Sequence, residues 1–359
     1  MSQAILDRPD SATLKARDST KPPERLEAIY RGQREREWRA TADKLDVLRK
    51  TFAREFKEIV PKEIRRAARA GYVQDDPREP GRRYRSLAQI RESGVDLARL
   101  RGLYDRIHRE FDEITRKDVA FTLHETVVGS LADILELPPF IFPDPDKEKM
   151  FFAPYSGIWD RIEQSQASGD GAVDENFSYL DGTFARLGAR LRAHNHDASD
   201  IDLICAYREG GYLVPFRTLK TGILQVRADL SALICKHHVS TYDEWGWSDF
   251  HATTRGRLIL AVFWNWEDND PANEVSDQWF VGGLDCSGDG ESFPGTTVQA
   301  TPGERRVVNL YTDMAFPAGQ DLWVYVGLSD KIWSILNDVE IDISIDSAWQ
   351  LNSIGIRSL

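Results

Sequence analysis

The spacing of apolar residues changes at about residue 150, and that change limits the chain to an architecture with two kinds of layer. Before it, Leu, Phe, Ile and Tyr recur every three or four positions. After it they alternate. The first pattern buries one stripe of a helix, and the second buries one face of a strand. Charge follows the same division. Residues 1–150 carry 31 Lys and Arg against 28 Asp and Glu, and residues 151–359 carry 15 against 30. Nine of the ten tryptophans also fall after residue 150, which makes the second part both acidic and rich in aromatic surface.

In the first part, residues 1–22 are polar and read as a mobile arm. A long helix is expected from Pro23 to about Val60, with Leu45, Leu48, Phe52, Phe56 and Ile59 on one stripe. Asp96 is a suitable N-cap for a second helix reaching about Thr115. Its Leu97, Leu100, Tyr104, Ile107, Phe111 and Ile114 form a short heptad seam, which an antiparallel bundle within one chain explains as well as a coiled coil does. Val119 to Leu137 reads as a third helix, apolar on more than one side and suited to the centre of a bundle. Pro143 to Lys147 reads as a stiff connector.

Beyond residue 180 the period is two. Leu224, Val226, Ala228, Leu230, Ala232 and Ile234 alternate with polar residues, and Val339 to Ile345 does the same. Leu258 to Phe263 is continuously apolar and suits a strand buried on both faces. Gly282-Gly283 and Ser287 to Gly290 read as turns. The expected fold class is therefore α plus all-β: a helical bundle at 23–138, a connector at 139–180, and an antiparallel, jelly-roll-like β-sandwich at 181–359.

Composition excludes some function classes. The first twenty residues hold six charges and no apolar run, unlike a secretory signal. No stretch has the eighteen uninterrupted apolar residues of a membrane span. Three cysteines without CxxC spacing fit a reducing compartment, so a cytoplasmic location is the default, with leaderless export as an alternative. The acidic total disfavours nucleic acid, which needs Lys and Arg facing phosphate.

The sharpest motif is Asp243-Glu244-Trp245-Gly246-Trp247-Ser248-Asp249. It resembles the first calcium loop of the lipid-binding domains of protein kinase C and synaptotagmin. A second acidic loop, Glu267 to Asp270, follows it. The resemblance implies Ca²⁺ as a cofactor, with Asp243, Asp249, Asp268 and Asp270 as oxygen ligands. Turn carboxylates that cap backbone N–H groups are the alternative reading.

Trp245, Trp247, Trp264, Trp266 and Trp279 cluster in sequence around these acidic loops. Exposed, they would form a ligand platform, stacking on the apolar face of a sugar while carboxylates take its hydroxyls. They would equally suit a protein partner or a membrane interface, and buried they would fill the sandwich core. His194 and His196, with acids nearby, are spaced to share a strand face as a metal pair. Cys205 and Cys235 sit in apolar strand patterns and read as core residues, and Asp285-Cys286-Ser287 reads as a loop.

The expected function is non-enzymatic recognition: helices that tether or self-associate, and a sandwich whose Trp- and Asp-rich loops bind carbohydrate or protein. A membrane-acting, toxin-like protein, a metal-dependent hydrolase and a structural subunit of a larger assembly are the rival readings.

Overall fold

The computed structural model describes residues 24–65, 94–120, 148–196, 201–243, 248–264, 274–288 and 293–359. The expected arm, the helix expected over Val119 to Leu137 beyond Ala120, and the Pro143 to Lys147 connector lie outside these residues.

Helix α1 (Glu24–Ile59) buries Leu26, Tyr30, Trp38, Ala42, Leu45, Leu48, Phe52 and Phe56 along one stripe. Helix α2 (Leu97–Ala120) begins where Asp96 predicts. The Asp96 carboxylate accepts the backbone N–H groups of Ala98 at 3.1 Å and Arg99 at 3.0 Å, satisfying two donors that a helix start leaves unpaired.

Among the described residues there are twelve strands. They are β1 (Glu148–Phe151), β2 (Ile158–Ser168), β3 (Gly171–Asp181), β4 (Arg186–Asn195), β5 (Ile201–Arg217) and β6 (Gly222–Asp243), followed by β7 (Asp249–Phe263), β8 (Glu274–Gly288), β9 (Phe293–Ala300), β10 (Arg305–Phe316), β11 (Asp321–Asn337) and β12 (Val339–Ser358). All pair antiparallel. One sheet has seven strands in the order β10-β6-β12-β4-β3, with β1 also on β12 and β9 also on β6. The other has five in the order β2-β5-β11-β7-β8.

These elements stack as three layers. The inner faces of the two sheets enclose two apolar clusters, one containing Leu187, Leu260 and Trp349 and the other Leu191, Ile204 and Ile343. The outer face of the five-stranded sheet carries Trp159, Leu203, Ile259, Phe263, Tyr325 and Trp333, and both helices lie against it. That third layer explains why Leu258 to Phe263 has no polar alternation. Leu258, Leu260 and Val262 face the other sheet, and Ile259, Ala261 and Phe263 face the helices. Each fully buried Leu or Phe contributes about 1.5–3 kcal/mol, so the helix layer is a substantial part of the folding energy. The seam of α2 is spent here too, since Leu100, Tyr104, Ile107 and Phe111 pack in the same cluster as α1 and the sheet. No described helix is long and apolar enough to cross a membrane.

Three sequence expectations change. Residues 139–180 are not simply a connector, because β1, β2 and β3 lie within them. Strands β2 and β3 form sheet edges and interrupt their apolar residues with runs of polar ones, so they lack the apolar alternation of a half-buried strand. Ile234 does not continue the inward row of Leu224 to Ala232. The register between β6 and β12 shifts there, turning Leu233 and Ile234 outward and Cys235 inward. Gly282-Gly283 and Cys286 are not in turns but inside β8. A Cβ on Gly282 would come within 2.5 Å of Gln299 and 2.9 Å of the His237 ring, so glycine there marks a close approach between layers.

Candidate functional site: the open face of the seven-stranded sheet

The outer face of the seven-stranded sheet carries no described helix. Leu187, Ala189, Leu191 and Ala193 of β4 turn inward, which leaves Arg186, Gly188, Arg190, Arg192 and His194 facing out. Strand pairing arranges the outward residues in rows across the strands. One row runs Tyr179, Gly188, Ala348, Ile234, and the next runs Phe177, Arg190, Asp346, Lys236. A third runs Glu175, Arg192, Ser344, His238.

The first row is an apolar strip floored by an aromatic ring. The phenol of Tyr179 donates to the Ser347 carbonyl at 2.9 Å, which requires the side chain to cross β4 and reach β12. It can do so only because residue 188 is glycine: a Cβ there would stand 2.2 Å from the Tyr179 ring. The ring is therefore laid against the sheet, and Tyr179 remains 36% exposed. Phe177 stands beside it, 42% exposed, with ring centroids 6.4 Å apart. Burial and the neighbouring Asp346 carboxylate push the Tyr179 phenol up to about 12, so it stays a donor at any physiological pH.

The second row is a fixed hydrogen-bonding border. Arg190 Nε lies 2.5 Å from Asp346 and 3.8 Å from Glu175, and its guanidinium is 5.9 Å from the centre of the Phe177 ring. The hydrogen bond and charge of Asp346 raise the Arg190 pKa further. Arg192 reaches Glu175 at 3.4 Å. His238, in the third row, is held below its usual value by burial and by the Lys236 charge, and is neutral at pH 7. The result is two rings of half-exposed aromatic surface beside oriented planar carboxylate and guanidinium groups.

Most residues singled out in the sequence lie elsewhere. Trp264 is 7% exposed and packs edge-on to Phe316 with centroids 5.3 Å apart, so it is a core residue. Trp279 is exposed on edge strand β8, next to the more exposed Phe280. Trp245, Trp247, Trp266, Asp268 and Asp270 lie outside the described residues. Asp243 ends β6, and its side chain is likewise outside them. Asp249 opens β7 and is 2% exposed, with its carboxylate 2.9 Å from the His108 imidazole of α2.

His194 and His196 do come together, with rings stacked at 4.1 Å, and His194 Nδ1 lies 2.5 Å from Asp174. Among the described residues, however, no three His, Cys, Asp or Glu side chains are placed to hold a metal ion. All three cysteines are buried and free, and burial raises the Cys235 and Cys286 thiols to about 12, so neither is a nucleophile.

Sequence reasoning missed Phe177 and Tyr179. Their signal was an aromatic at alternate positions of a polar segment, and it has meaning only once Gly188 is known to pair opposite Tyr179.

No protein-family model and no curated protein matches this chain. Among solved structures, isomalto-dextranase from Arthrobacter globiformis complexed with panose aligns at 14% identity, over 56% of this chain and 24% of that one, with a TM-score of 0.17. The C-terminal CBM6 of a laminarinase from Zobellia galactanivorans aligns at 10% identity, over 59% of this chain and 99% of that one, with a TM-score of 0.15. At such TM-scores these alignments do not bear on the fold or ligand of this chain.

Proposed function

We propose that this is a non-enzymatic recognition protein that binds carbohydrate across the open face of the seven-stranded sheet. The observation that carries the reading is Tyr179, held flat over Gly188 beside Phe177 and bordered by the Arg190–Asp346 pair. A pyranose has an apolar C–H face and a rim of hydroxyls, and it needs a ring to stack on and planar groups to take hydroxyls in pairs. Both are present in adjacent rows. The strip crosses four strands, a span of about 14 Å at the usual strand spacing, so the ligand is an extended oligosaccharide rather than a single sugar.

The test is a glycan array on the intact protein, followed by calorimetric titration of any hit. Tyr179→Ala and Phe177→Ala should each weaken binding at least tenfold while leaving the far-ultraviolet circular dichroism unchanged. Binding that survives both substitutions, or no binding to any glycan, sinks the proposal. Repeating the titration in EDTA and in excess Ca²⁺ asks whether the Asp243–Asp249 segment assists, as its resemblance to a calcium loop implies.

A further inference from the structure

A polar seam crosses the interior of the sandwich and separates its two apolar clusters. On β11 the inward residues run Leu328, Asp330, Ile332, and the first and last belong to different clusters. On β6 they run Cys235, His237, Val239, and on β12 Ile345, Ser347, Trp349, with the same division. Within the five-stranded sheet, pairing lines up Glu163, Arg208, Asp330, Gly256 and Gly282. Arg208 closes one end of this row, bonding Glu163 at 2.7 Å and Ser178 at 2.9 Å.

At the other end two polar groups are turned toward the same glycine. The position a Cβ would take on Gly256 is 3.0 Å from Asp330 Oδ1 and 3.3 Å from His237 Nε2. Both residues are completely buried. Asp330 Oδ1 meets the Ser347 hydroxyl at 3.4 Å, but Asp330 Oδ2 and His237 Nε2 have no hydrogen-bond partner in the protein. Buried polar atoms are rarely left so, because each costs a large part of its hydration energy. The His237 tautomer follows from its other nitrogen. Leu284 N–H donates to Thr254 Oγ1 at 3.0 Å, and Thr254 Oγ1 lies 2.9 Å from His237 Nδ1. Thr254 can then give its hydroxyl proton to Nδ1, the tautomer in which Nε2 carries the hydrogen of a neutral ring.

We propose that His237 and Asp330 form an internal binding site for a water molecule, seated beside Gly256 and bridging Nε2–H to the Asp330 carboxyl. The ligand is water because one donor, one carboxyl and the Ser347 hydroxyl converge beside Gly256, which puts no side chain of its own between them. Those are the two to four polar partners a buried water needs. Burial supports the assignment on the protein side. It lowers His237 to about 4 and raises Asp330 to about 8, so at neutral pH both are uncharged and need a neutral partner.

Water-to-protein nuclear Overhauser transfer to the His237 ring hydrogen, measured on the full chain near pH 6.5, tests this. The expected result is a transfer from a water resident far longer than surface solvent. It should be lost in Gly256→Ala, whose methyl would occupy the seat, and kept in Cys205→Ser, whose side chain faces the helices on the other side of the five-stranded sheet. If Gly256→Ala does not fold, Asp330→Leu serves in its place, since it removes the carboxyl and fills the space with apolar atoms. Unchanged transfer in a folded seat-filling variant overturns the proposal. So does an experimental structure in which His237 bonds Asp330 directly.

Discussion

Tyr30 of α1 donates its phenol to Glu209 of β5 at 2.5 Å, across 179 residues of sequence and inside an apolar interface. Glu209 is 1% exposed and also receives Tyr207 at 2.5 Å and Tyr325 at 3.3 Å. The ring of Tyr30 stacks on Trp159 at 5.1 Å, so one side chain supplies both apolar contact and a polar anchor. An apolar stripe alone would let a helix slide along a sheet, whereas a buried carboxyl with three phenol donors fixes one register.

Tyr30→Phe should therefore destabilise the protein by about 1–3 kcal/mol, because it keeps the ring but leaves a buried acceptor short of a donor. Tyr325→Phe removes a longer bond to the same oxygen and should cost less. Urea unfolding of the two variants ranks them, and equal or negligible losses would count against the anchor.

Gly188→Ala should act sterically, without removing a charge. Its Cβ would meet the Tyr179 ring and, at 2.7 Å, the Ser347 carbonyl. The ring must leave the sheet and give up its bond to Ser347. Stability should fall by about 1–3 kcal/mol, as for a sterically overfilled site. Glycan binding, if the proposed reading holds, should fall with it. The NMR ring signals of Tyr179, assigned by their loss in Tyr179→Phe, report the released ring, and unchanged shifts would mean that the flat placement is not dictated by residue 188.

The helices and buried strands were legible in the sequence, and the edges and contacts between layers were not. The stripe of α1 and the cap at Asp96 are local, and the structure puts both within a residue of their expected places. Leu258 to Phe263 announced burial on both faces but could not say that α1 and α2 supply the cover, because that depends on which sheet the helices reach. Strands β2 and β3 hold edge positions, where a polar sequence is tolerated and carries no period. Gly282 reads as a turn residue in isolation, yet it and Gly188 each admit a side chain from another strand. The candidate site was only partly legible for the same reason. The sequence left Trp264 open between platform and core, and the structure puts it in the core, while Phe177 and Tyr179 gained meaning only from pairing with β4.

Asp249 offers a prediction that separates structure from cation binding. Its carboxylate meets His108 at 2.9 Å, and His251, two residues on, meets Asp112 at 3.0 Å, so β7 and α2 exchange two His–Asp contacts. Asp249→Asn should lower stability by about 1–3 kcal/mol in EDTA, with no calcium present, because it weakens a largely desolvated pair. A variant as stable as the parent in EDTA would show that this carboxylate does not hold α2 to the sheet. The result also governs how a calcium titration of the same variant is read.

Asp330→Asn should make the molecule more stable as pH rises. Burial pushes the Asp330 carboxyl up to about 8 from an ordinary value of 3.8. The unfolded chain therefore releases this proton between those values while the folded chain keeps it. Stability from the protonated group is complete below about pH 3.8, declines as pH rises toward 8, and is level above that. Asparagine has no proton to lose. The variant's gain over the parent should thus grow from pH 5 to pH 8 and flatten beyond, by about 4 kcal/mol across that window. His237 slopes the other way. Burial lowers it to about 4, so its contribution is present above about pH 6.5 and lost as pH falls toward 4. In the parent the two slopes oppose each other between about pH 4 and 6.5, and removing Asp330 should expose the histidine's acid-side loss, up to about 1.4 kcal/mol per pH unit. Urea melts of both proteins at pH 5, 6.5, 8 and 9 give the difference directly. A difference independent of pH would mean that Asp330 is ionised inside the sandwich, which requires a cationic partner at the seam rather than a neutral one.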